Sequence, residues 1–132
     1  MSQENVEFIR ESIQRFSAGD FEGLREDYSP DAVVYSPRGW PDGAVFEGRE
    51  AIISQFARLQ EDWQQQDFYP SRIEGHADWV IAQIEWEASG AGSGISTGMT
   101  MVVAFRVDAG QITEAQAFWD WDEALQAAGL SE

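Results

Sequence analysis

Apolar residues recur at helical spacing through the first half of the chain and at alternate positions through the second. Val6, Ile9, Ile13 and Phe16 form one stripe of a helix over residues 5–18, with Ser2 as its expected N-cap. Gly19 ends that stripe, and Asp20 is placed to cap a second short helix with Phe21, Leu24 and Tyr28 inward. Residues 32–36 are a short β-prone run stopped by Pro37, and the Gly- and Pro-rich residues 37–48 predict a loop that carries Trp40. A third helix is expected over residues 49–65, where Ile52, Phe56, Leu59 and Trp63 keep the helical interval.

From there the period becomes two. Strands are expected at 79–89, 95–107 and 111–121, with a weaker one at 68–74. Residues 75–78 and 108–110 read as hairpin turns, and SGAGSG at 89–94 as a looser corner open to a bulge. Helices first and a strand meander afterwards predict an α+β fold, helices covering one face of a curved antiparallel sheet. Three helices leave the concave side incompletely filled, which points to a cavity lined by alternate strand residues. The expected organisation is one domain, residues 1–132, with no internal repeat.

The last strand carries the candidate chemistry. Its continuation, QITEAQAFWDWD, places Ile112, Glu114, Gln116, Phe118 and Asp120 on one face and Thr113, Ala115, Ala117, Trp119 and Trp121 on the other. Asp122 is read as the N-cap of a tail helix at 123–128. Asp120 then has no local role and becomes the candidate acid, with a pocket position and a rim position both compatible with its neighbours.

Composition narrows the partners. Acidic residues outnumber basic ones 24 to 8, for a net charge of −16, and every basic residue is Arg. Nucleic acid and anionic membranes are excluded as partners. The lysine-free acidity would suit a salty cytoplasm, but biased composition in an Arg-favouring genome is the simpler explanation. With no Cys there is no disulfide or thiolate, and one His cannot assemble a His-based metal site. The six Trp, eight Phe and three Tyr are many for 132 residues and signal an aromatic core, an apolar binding surface, or both. No apolar run has spanning length and the first residues lack a signal pattern, so a cytoplasmic location is expected.

The segments SQENVE, SAGDFEGL, SPDA, WPDGAVFEGREAI, the Ser93-Gly94 corner, the 108–110 turn and DEALQAAGL, in that order, resemble the SnoaL-like bacterial branch of the nuclear transport factor 2-like superfamily over nearly the whole chain. The resemblance implies a cone-shaped α+β fold and a homodimer through the sheet face, but no single activity. Where ketosteroid isomerases carry their tyrosine and two aspartates, this chain has Ser12, Ser36 and Val103, so that mechanism lacks its groups. The positions matching an epoxide hydrolase's Arg, Asp and Asp are Gln83, Glu85 and Asp120, with no cation to hold the two acids in different charge states.

Asp120 and Glu85 are thus the candidate catalytic pair, and Tyr35, Gln83, Val103, Phe105, Phe118 and Trp40 the candidate ligand-binding residues. The bland alternatives stand beside these. Glu85 and Glu87 alternate as a solvated strand face would, Tyr35 precedes Pro37 as a packing aromatic would, and Trp40 either lids a pocket or seals the core edge. His76 reads as a surface histidine and Arg106 as structural. The expected activity is cofactor-free hydrolysis, cyclisation or dehydration of a small apolar molecule, or else non-catalytic binding of one.

Overall fold

The computed structural model describes residues 2–37, 45–61, 65–89 and 96–129. Helix α1 spans Ser2–Ala18, α2 Phe21–Asp27, α3 Arg49–Glu61 and α4 Trp121–Ala127. Strands β1 (Tyr28–Tyr35), β2 (Val45–Glu47), β3 (Gln65–His76), β4 (Trp79–Ser89), β5 (Ser96–Asp108) and β6 (Gln111–Phe118) form one open sheet in the order β2-β1-β6-β5-β4-β3.

The helical stripe is confirmed, since Ile9 and Ile13 are buried and Phe16 packs on their cluster. Gly19 turns the chain at φ 76°, and the Asp20 carboxylate accepts the Gly23 N–H at 3.0 Å to start α2. Arg15 fixes this corner by donating twice to Asp27, at 2.8 and 3.0 Å, and Asp27 is buried.

Several elements differ from expectation. Tyr28, buried as expected, is the C-cap of α2 and also opens β1, and β1 runs parallel to β6, so the sheet is mixed rather than wholly antiparallel. A short strand, β2, lies inside the expected loop and pairs with β1. Helix α3 is described over Arg49–Glu61, Gln65 already belongs to β3, and the weak strand becomes twelve residues long because β3 pairs with β4 from Gln65 to His76. Periodicity could not anticipate this, since the partner strand supplies the pairing. The two-residue turns 77–78 and 109–110 place Ala77 and Ala109 at φ 56° and 54°, the left-handed geometry that tight hairpins require.

Sheet register assigns the paired strand residues to one of two faces. The inner face carries Val80 and Ala82 of β4, Val103 and Phe105 of β5, Ala115 of β6 and Val34 of β1, packed with α1, α2 and α3. The outer face carries Ile81, Val102 and Ala104, covered by Trp121 and Ala124 of α4. Arg72 of β3 lies 3.7 Å above the Trp121 ring and adds a cation–π contact to that cover.

Candidate functional site

The sheet divides the residues nominated from sequence. Val103 and Phe105 lie on the inner face, Phe105 within the core. Gln83 pairs with Val102, Glu85 with Thr100, and Phe118 packs on the α4 cluster, which places all three on the outer face. Tyr35 is also outer, because it pairs with Gln116 while its neighbour Val34 pairs with the inner residue Ala115. Trp40 lies outside the described residues.

Asp120 has a local role after all. The ladder ends at Phe118, Asp120 adopts extended backbone, and its Oδ1 accepts the Glu123 N–H at 2.9 Å as the N-cap of α4. The expected cap, Asp122, is instead the second residue of the helix. Two sequence inferences fail here for related reasons. The helix starts two residues early because Trp121 is drawn into the α4 cluster rather than left on a strand. A register shift between Arg106 and Val107 of β5 leaves Thr113 as the extra residue, so Ile112 faces the inner core while Glu114, Gln116 and Phe118 face outward.

Glu85 accepts three described hydrogen bonds. Ser71 donates to its Oε2 at 2.6 Å, Thr100 to its Oε1 at 2.5 Å, and Gln83 to Oε2 at 3.5 Å. Donation by Ser71 first, then Thr100, holds the Glu85 pKa below its ordinary value. That favours a standing carboxylate over a proton donor. One strand over, Tyr69 donates to Glu87 at 2.6 Å, and this bond raises the Tyr69 pKa. The described hydrogen bonds of Glu85 run to β3, β4 and β5, and that of Asp120 to α4, so they do not join the two acids.

The inner face offers a different site. Along β4, β5 and β6, Val80, Phe105 and Ala115 are buried, whereas Val103 and Ala117, then Ile84 and Met101, then Trp86 and Met99 are half-buried. The wall beside them is aromatic, with Phe16 stacked on Phe56 at 4.8 Å and on Phe68 at 4.4 Å, and Phe68 tilted against Trp86 at 6.4 Å. Sequence reasoning named Val103 and passed over Met99 and Met101, although both share its strand face at intervals of two. Ser12 is buried on α1 and Ser36 half-buried at the end of β1. Among the described residues no group of His, Asp or Glu side chains is arranged to hold a metal ion. No described helix is long and apolar enough to cross a membrane.

Solved structures share this architecture. Bal32a, from a soil-derived mobile gene cassette, aligns with TM-score 0.78 at 21% identity over 88% of each chain. A ketosteroid isomerase-like protein from Catenulispora acidiphila, in complex with trimethylamine, aligns at 0.74 with 18% identity over 94% of this chain and 93% of its own. An LEH-like epoxide hydrolase from M. tuberculosis aligns at 0.75 with 17% identity over 90% of this chain and 84% of its own. At these identities the likeness establishes the fold. No curated protein matches the sequence. The SnoaL-like domain family matches residues 9–115, from α1 into β6, and the chain therefore belongs to that family.

Proposed function

We propose that this protein holds a small apolar molecule against the inner face of its sheet and serves as a binding or accessory module. The observation that carries the reading is the burial gradient on that face, from the closed row of Val80, Phe105 and Ala115 to the half-buried apolar strip at Val103, Met101 and Trp86. The strip residues of β4, β5 and β6 offer contact area without an acid, a base or a nucleophile. The Catenulispora neighbour, with its small-molecule guest trimethylamine, supports the reading by analogy. The test is Val103→Trp, which fills the strip. Saturable binding of a neutral apolar reporter such as Nile red should disappear while the melting transition remains cooperative. Equal binding by a folded variant would place the reporter elsewhere and end the proposal.

A second reading, cofactor-free acid–base catalysis by Asp120 with Glu85 and Tyr35 assisting, draws support from the epoxide hydrolase among the structural neighbours. Asp120 leaves Oδ2 without a described hydrogen bond and is exposed. Turnover of an epoxide by the wild type and its loss in a folded Asp120→Asn variant would support this reading, and unchanged turnover would remove Asp120 from it. A homodimer through the outer sheet face is proposed alongside, because Val45 and Tyr69 expose 48% and 43% of their surface there.

A further inference from the structure

Arginines supply all the fixed positive side-chain charge of this chain, eight in number against 24 acids. Seven of them lie among the described residues, most of them held by partners of their own. Arg15 is held by Asp27, Arg10 by Glu7 at 3.6 Å, and Arg25 by Glu50. Arg72 sits on the outer face between Glu74, at 3.1 Å, and the Trp121 ring. Arg106, exposed, pairs in register with Trp79 and Glu114 on that same face. Arg58 is exposed on the side of α3 opposite Ile52 and Phe56. Arg49 donates from Nη1 to the Tyr28 carbonyl at 3.3 Å, at the far end of β1 from Tyr35, and its buried Nε has no partner among the described residues. Arg38 lies outside the described residues.

From this distribution we infer that the guest of the inner strip carries no anionic group and is an uncharged or amine-bearing apolar molecule. The inference rests on the binding reading above and names its ligand class. A carboxylate or phosphate moved onto Val103, Met101 and Ile84 loses part of its hydration and meets no cation among the described residues to replace it. The net charge of −16 adds a field that repels it further. An ammonium group also loses water there, but the field of the acidic chain attracts it. Charge sign, rather than polarity alone, therefore separates the ligands.

A matched set of rigid probes tests this on the intact chain: 1-adamantanol, 1-adamantylammonium and 1-adamantanecarboxylate at pH 7. Methyl-labelled methionine reports their binding, because Met99 and Met101 are two of only three methionines in the sequence. Both methyl signals should shift with the alcohol and with the amine, and the carboxylate should bind at least about tenfold more weakly than the amine. A carboxylate within about threefold of the amine, with the alcohol still binding, would overturn the charge selection and leave the binding reading standing. Unmoved Met99 and Met101 signals with all three probes would end the binding reading and this inference with it.

Discussion

Replacing Asp120 by Ala and by Asn separates its structural work from any chemical work. Its Oδ1 accepts the Glu123 N–H at 2.9 Å, and its carbonyl accepts the Ala124 N–H at 3.4 Å. Ala removes the side-chain acceptor only. The site is exposed, so water takes over the freed N–H, and the loss is about 1 kcal/mol, within the usual range of about 0.5–2 for such caps. Asn keeps an acceptor in the same place and is an equally good cap. It also removes one negative charge from a helix start that already bears Asp122 and Glu123, so its net effect is a few tenths of a kcal/mol at most. With an unfolding entropy of about 0.28 kcal/mol/K for a chain of this length, Asp120→Ala should melt about 3–4 °C below wild type and Asp120→Asn within about 1 °C. Hydrogen exchange at the Glu123 amide should quicken in the Ala variant alone. An Ala variant that melts with wild type, or an Asn variant that falls as far as Ala, would refute the capping role. If the roles hold, the Asn variant isolates chemistry from folding.

Arg15→Met leaves the buried Asp27 carboxylate without its two donors and should lower stability by about 2–3 kcal/mol in denaturant titrations, while the double variant with Asp27→Asn should lose less than the two singles summed. Glu85 has its pKa lowered in the fold from 4.5, so its contribution is present above about pH 4.5 and is lost as pH falls through the folded value. The stability gap between wild type and Glu85→Gln should accordingly narrow as urea titrations move from about pH 6 to about pH 3, and a constant gap would contradict the bonding by Ser71 and Thr100. Tyr69→Glu places a like charge beside Glu87 on the outer face and should convert a two-chain species to single chains in sedimentation equilibrium; a dimer that persists, or a wild type that is already monomeric, would refute assembly through this face.

Much of the fold was legible because its signals are local. The stripe of Val6, Ile9, Ile13 and Phe16, the Gly19 stop, the Asp20 cap and the alternation through β4 each depend on nearest neighbours along the chain. The candidate site was less legible. Asp120 and Asp122 are both competent caps two residues apart, and choosing between them depends on whether Trp121 is buried by Ile81, Val102 and Ala104, contributed by distant strands. Tyr35 and Glu85 were grouped with Val103 by alignment to family positions, whereas pairing puts them on the opposite face.

The sequence by itself determined the family, the helical and extended halves, the acidic charge and the apolar character of alternate strand positions. Only the tertiary structure decided which face of the sheet each alternation serves. A strand's period of two is the same whichever side is buried, and a single bulge at Thr113 reverses it. That one extra residue separates Ile112 from Glu114, Gln116 and Phe118. With α4 burying Trp121, the candidate acid of the sequence becomes the cap of the last helix, and the half-buried strip around Val103 and Met101 becomes the candidate site.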